Sequence, residues 1–232
     1  MEQTNNILFG LIQRKRHWYL MTLAMAFTLL LLMTLALVLG NTFYPPSIIL
    51  KVIQGDVIKG ASFAVGNLRL PRMLIGALVG FSFGIAGNTF QTMLRNPLAS
   101  PDIVGVTAGT SVAAVFAIII LGISGPLVSI FSIVTGLMVA MMIYWLSGGW
   151  QFSGGRLILI GIGVQAMLNA LISFMMLSAS QYDVPAAMRW LSGSLNGVRM
   201  SQVPTLLVTV SIMSLIIMYF GTIVQNKFFD RL

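Results

Sequence analysis

Long apolar runs separated by short polar breaks dominate this chain. Six runs fall at about residues 19–40, 72–92, 103–121, 127–146, 157–177 and 203–223. Each is roughly 20 residues long, enough to cross about 30 Å of hydrocarbon at a helical rise of about 1.5 Å per residue. The ten-residue alternation of an outer-membrane barrel strand is missing from them. The pattern predicts an all-α polytopic membrane protein, with six transmembrane helices in one transmembrane domain over residues 1–232.

The breaks set the expected topology. Residues 1–18 are polar and end in Arg14, Lys15 and Arg16. The run that follows exceeds the ~7–15 apolar residues of a signal peptide, so it reads as a retained first helix with a cytoplasmic N-terminus. Residues 41–67 hold Pro45-Pro46, Lys51, Asp56 and Lys59, and are expected to form an outer segment of short interfacial helix plus loop. Gly122, Gly125 and Pro126 mark the next outer turn. Trp150–Gly155 is a short inner loop. Segment 178–201 is outer, with Asp183 as the expected cap of a helix that has Pro185 in its first turn and Trp190 at interface height. Pro204 suits the first turn of the last span. Six spans put both termini inside. Seven Lys/Arg then lie inside (14, 15, 16, 95, 156, 227, 231) and six outside (51, 59, 69, 72, 189, 199). Orientation therefore rests on the flanks of the first helix, and the outer arginines need a reason of their own.

Composition sharpens the class. The chain is 57% hydrophobic and only 8% charged, with mean hydropathy +0.95, against roughly 25% charged residues in a soluble domain. The net charge of +8 is spread between spans rather than gathered on one stripe, so nucleic acid is not an expected partner; the lipid bilayer is. Without cysteine there are no disulfides, thiolate metal sites or cysteine nucleophiles. The lone His17 beside the basic cluster reads as an interfacial residue, and no metal site is expected. No G-x-x-x-x-G-K-S/T loop occurs, so ATP hydrolysis by that route belongs to another chain. No acidic residue sits mid-span, and Asp102 follows a turn, which disfavours an ion-coupled carrier.

Four groups of residues stand out. Gly76, Gly80 and Gly84 recur every four residues, so they share one helix face that another backbone can approach closely. Arg69 and Arg72 bracket Leu70-Pro71 at the outer start of the second span; they either snorkel to the interface or offer a cationic patch to an acidic partner. Asn96-Pro97-Leu98 makes a stiff turn, because proline fixes its own φ and restricts the residue before it. Gln165, Asn169 and Ser173 form a polar stripe at i, i+4, i+8, serving as interhelical glue or as the lining of a pathway.

The block Arg69–Arg72 (RLPR), then a glycine-rich span, then Arg95–Ala99 (RNPLA), Pro101-Asp102, Gly105-Val106 and Gly109, resembles the permease subunits of FecCD-type ABC importers. Segments 156–168 (RLILIGIGVQAML) and 190–197 (WLSGSLNG) look most like the catecholate-siderophore, ferric enterobactin-type branch. The resemblance implies an importer of ferric siderophore, with haem or cobalamin as alternative cargo. It further implies docking of an extracytoplasmic siderophore-binding protein by Arg69 and Arg72, with Arg189 as a weaker docking candidate. A cytoplasmic gate would be formed by Asn96, Pro97 and Leu98 with the loop at Ser153-Gly154-Gly155, where relatives often carry hydroxyl residues. Gln165, Asn169 and Ser173 would line the translocation pathway.

The implied partners are a second permease chain, as homo- or heterodimer, and two ABC ATPase subunits that hold ATP-Mg, leaving this chain without a cofactor and not itself an enzyme. The implied location is the bacterial inner membrane. The chain matches about the first two-thirds of a ten-helix permease. It is thus expected to be C-terminally truncated, lacking the coupling segment after the sixth span. The alternative function is a truncated, non-transporting remnant of such a permease. The inner loops are too short for a stable interface of about 800 Å² per partner.

Overall fold

A computed structural model describes residues 2–102, 105–148 and 154–229. The start of the expected third span at Ile103, loop residues 150–153 with Ser153, and Arg231 lie outside the described residues. In chain order the elements are α1 (Glu2–Val38), α2 (Pro46–Ile53), a π-helical segment (Ser62–Arg69), α3 (Leu70–Leu94), α4 (Val106–Ile119), α5 (Pro126–Leu146), α6 (Gly154–Leu177), α7 (Val184–Ser192) and α8 (Gln202–Phe229). Five stretches are long and apolar enough to cross a membrane: Gln13–Val38, Ser62–Leu94, Pro126–Leu146, Gly154–Leu177 and Gln202–Gly221. Helix α4 is shorter. This is a multi-pass, all-α membrane protein. The chain divides into two compact units, one of Met1–Ala77 with Asn196–Leu207, the other of Leu78–Leu195 with Val208–Leu232.

In the first unit, α1 runs unbroken for 37 residues, about 55 Å. The expected polar leader is its first half, because Gln, Lys and Arg favour helix and no proline intervenes. Its threonines fold their hydroxyls back: Thr22, Thr28 and Thr34 donate to the carbonyls of Trp18, Ala24 and Leu30 at 2.8–2.9 Å. That satisfies each hydroxyl within the helix, as hydrocarbon requires. Pro46 opens α2 at a position whose N–H would have no partner anyway, after an extended Pro45. Val38, Ile49 and Val65 are buried together, with Leu37, Tyr44 and Val52 packed around them.

The loop expected up to residue 67 is helical from Ser62 onward. Ser62 Oγ accepts the Ile58 N–H at 2.8 Å and donates to the Asp56 carbonyl at 3.1 Å, which braces the entry. Pro71, buried in the first turn of α3, accounts for the widened turns before it. A proline inside an α-helix clashes with the carbonyl four residues back, and π geometry moves that carbonyl away.

In the second unit, α4 and α5 lie antiparallel and very close. Small residues recur on α4 at Gly105, Gly109, Ala113 and Ala117, and on α5 at Ser132 and Gly136. A Cβ added at Gly109 would lie 2.8 Å from Val139 Cβ, and one at Gly136 would collide with Thr110 Cγ2. Gly105, at φ 80°, starts α4 from a left-handed conformation, and an added Cβ there would reach the Gly161 carbonyl at 3.0 Å. The core beyond joins Val115, Ile118, Val128, Ile172, Met175 and Ala187 from α4, α5, α6 and α7.

The expected Asp183 cap is corrected. Asp183 has helical dihedrals and its side chain caps no N–H of α7. Instead Ser180 Oγ accepts the Asp183 N–H at 3.3 Å and donates to its carboxylate at 2.7 Å, a capping pair set one turn earlier.

Candidate functional site

Arg69 is the last residue of the π segment and Arg72 lies in the first turn of α3. Their environments differ. Arg69 is half-buried. Its Nη1 donates to the carbonyls of Leu37 and Val38 at 2.8 and 3.0 Å, and its Nη2 to the Thr42 carbonyl at 2.5 Å. The Tyr44 ring lies under the guanidinium, 5.2 Å from centroid to Cζ. Arg72 is exposed, and its Nη2 donates to Asn196 Oδ1. The sequence presents the two as a matched pair. In the fold one guanidinium turns back onto main-chain carbonyls while the other faces outward.

The turn after α3 is built by its own backbone. Arg95 adopts φ 49°, its N–H donates to the Thr92 carbonyl at 3.3 Å, and the Asn96 N–H reaches back to the Gln91 carbonyl at 3.1 Å. This is a Schellman ending with arginine where glycine is usual. Asn96 Oδ1 then accepts the Leu98 N–H at 2.9 Å, and the Asn96 carbonyl accepts the Ala99 N–H at 3.1 Å. Asparagine before proline thus holds the turn from its first corner. Ala99 is buried and anchors it, whereas Pro97 is exposed and Leu98 is 79% exposed.

Gly154 opens α6 against this ending: a Cβ there would sit 3.3 Å from Leu94 Cδ2. Gly155 faces open space. The two segments expected to form a gate are therefore neighbours through Leu94 and Gly154.

The polar stripe of α6 is not uniform. Residues four apart advance about 40° around a helix, so a row of three drifts off any one face. Gln165 is half-buried, its Cβ 3.6 Å from the position a Gly105 Cβ would take. Asn169 and Ser173 are exposed, and the Ser173 hydroxyl donates to the Asn169 carbonyl at 3.0 Å. On α3, Gly80 and Gly84 are exposed, with nothing within 4 Å of an added Cβ, and Gly76 is half-buried. Arg189 is exposed on α7. Among the described residues no group of acidic or histidine side chains could hold a metal ion.

Close approaches between α4 and α5 that glycine spacing alone missed include Gly109 with Val139 and Gly136 with Thr110. The signal for them was the continuation of the Gly105, Gly109 period into Ala113 and Ala117.

Comparisons with known proteins bear on the whole arrangement. Residues 28–225 match the FecCD transport family. The chain is 36% identical over 170 residues to the achromobactin transport system permease protein of Dickeya dadantii (strain 3937), covering 72% of this chain and 49% of that protein. It is 33% identical over 158 residues to a ferric enterobactin transport system permease protein of Escherichia coli (strain K12), covering 68% and 48%. It is 34% identical over 170 residues to the cobalamin import system permease protein of Halobacterium salinarum (strain ATCC 700922 / JCM 11081 / NRC-1), covering 73% and 46%. The chain thus spans about half the length of the curated relatives it matches. Its fold matches a solved structure described as a metal-chelate type ABC transporter in an inward-facing conformation. The TM-score is 0.68 at 22% identity, over 82% of this chain and 58% of that one. From the motifs through the helical order to this match over most of its length, the chain belongs to the FecCD transport family.

Proposed function

We propose that the chain is a membrane-spanning permease subunit of an ABC importer for a ferric siderophore. The observation that carries this is family membership across residues 28–225, together with relatives named for achromobactin and ferric enterobactin. On this reading the protein sits in the bacterial inner membrane with both termini cytoplasmic. It pairs with a second permease chain, two ATPase subunits bind ATP-Mg, and an external binding protein delivers the cargo.

The exposed guanidinium groups of Arg72 and Arg189 meet acidic residues of that binding protein. The turn at Asn96, Pro97 and Leu98 works with Gly154 and Gly155 as the inner gate. Asn169 and Ser173, exposed on α6, face the pathway and contact polar cargo weakly, since a conduit that held its cargo tightly would not release it. The glycine face of Gly80 and Gly84 receives a helix of another chain.

A second reading is cobalamin import, favoured by the comparable identity to the Halobacterium protein. Both are tested by uptake of radiolabelled ferric enterobactin and of labelled cobalamin into iron-starved cells that hold the chain with its ATPase and binding protein. Iron uptake that Arg72→Glu abolishes supports the first reading. Cobalamin uptake alone favours the second. Uptake of neither counts against both readings.

A further inference from the structure

We propose that Arg69 is a positioning residue: it clamps the end of α1 to the start of α3 and so sets how Arg72 is presented. Only the role of Arg72 rests on the docking reading above.

The last carbonyls of a helix lack intrahelical partners and carry partial negative charge. Leu37 and Val38 are the last two residues of α1, and Thr42 lies in the turn beyond. One guanidinium bonds all three carbonyls, with Nη1 bridging Leu37 and Val38 and Nη2 on Thr42, and the Val38 carbonyl also accepts the Tyr44 N–H at 3.3 Å. The planar fork of arginine can do this, whereas a lysine ammonium is a single point charge. Tyr44, from the same turn, closes the other side at 5.2 Å.

Gly40 supplies the independent observation. A Cβ at Gly40 would lie 2.5 Å from Arg69 Nη2, 2.8 Å from Cζ and 3.0 Å from Nε. A side chain at position 40 would have to push the guanidinium off the carbonyls it bonds. Positions 40 and 69, 29 residues apart in sequence, are coupled.

Arg72 stands one turn further along the same helix and bonds the neutral side chain of Asn196. Three bonds from Arg69 go to main-chain carbonyls, against one from Arg72 to a neutral side-chain amide. The clamp therefore fixes the base of the segment from which Arg72 is presented.

The full chain has no cysteine, so a spin label at Asn41→Cys, an exposed site in the clamped turn, reports mobility cleanly in lipid vesicles. Arg69→Gln should raise the mobile fraction several-fold, Arg69→Lys should not restore it, and Arg72→Gln should leave it unchanged. Gly40→Val, or the milder Gly40→Ala, should reproduce the Arg69→Gln spectrum with Arg69 still present. Combining it with Arg69→Gln should add nothing, since both remove one interaction. At Arg72→Cys, the rate of reaction with a charged thiol reagent should change several-fold when Arg69→Gln is added.

An unchanged turn in Arg69→Gln, or additive effects with Gly40→Val, overturns the clamp. An unchanged rate at position 72 overturns its positioning role. No partner takes part in these measurements, so they fail or hold apart from the docking reading.

Discussion

Replacing Gly136 by alanine puts the α4–α5 interface to a direct test. The new Cβ would collide with Thr110 Cγ2, but its next neighbours, Thr110 Cβ at 3.7 Å and the Val106 carbonyl at 3.8 Å, are at ordinary contact distance. One methyl group is thus the whole obstacle. Overpacking of this kind costs about 1–3 kcal/mol, and Gly136→Ala should destabilise the protein by that amount in SDS unfolding from mixed micelles. Thr110→Ser removes the obstructing methyl and keeps the hydroxyl, which donates to the Thr107 carbonyl at 2.8 Å. By itself Thr110→Ser should cost about 1 kcal/mol, the loss of one buried methyl. Combined, the two changes should be less harmful than their sum by about 1–2 kcal/mol, because the alanine methyl fills the vacated space. Additive losses, or a Gly136→Ala variant as stable as the parent, would refute the packing argument.

Other predictions rest on single groups. Ser132 Oγ is buried without a hydrogen-bond partner among the described residues, so Ser132→Ala should be neutral or stabilising by about 1–2 kcal/mol; Ser147, also buried, donates to the Tyr144 carbonyl at 2.7 Å, and Ser147→Ala should cost about 1 kcal/mol in the same assay. Arg95→Gly should stabilise the end of α3 by up to about 1 kcal/mol, since a left-handed arginine carries a Cβ penalty that glycine lacks. Asn169→Leu and Ser173→Ala change exposed positions and should leave unfolding unmoved. On the proposed function they lower siderophore uptake; a loss of stability would instead make them structural.

Spans were legible in the sequence because hydrocarbon demands long apolar helices and leaves few alternatives. Partners of individual residues were not. The period of Gly76, Gly80 and Gly84 says that a face is small, yet Gly80 and Gly84 meet nothing within 4 Å, while Gly109 and Gly136 meet a facing helix within the same unit. Pro71 reads as a boundary, since the residue before a proline avoids helix, and the π segment that carries the helix across it has no sequence period to betray it. The cap of α7 was misplaced by one turn because Ser180 and Asp183 can each cap, and spacing does not say which does. RLPR marks two arginines but is silent on direction: Arg69 turns onto the carbonyls of Leu37, Val38 and Thr42, in space that Gly40 leaves open and that is too distant in sequence to draw notice.

The brevity of α4 bears on how the protein is made. Fourteen residues rise about 21 Å, short of the roughly 30 Å of the bilayer interior. Left alone there, the helix would leave about 9 Å of that interior to non-helical chain, whose remaining polar groups need partners. Membrane insertion machinery should therefore release α4 and α5 as a hairpin, already zipped along their glycines, rather than one after the other.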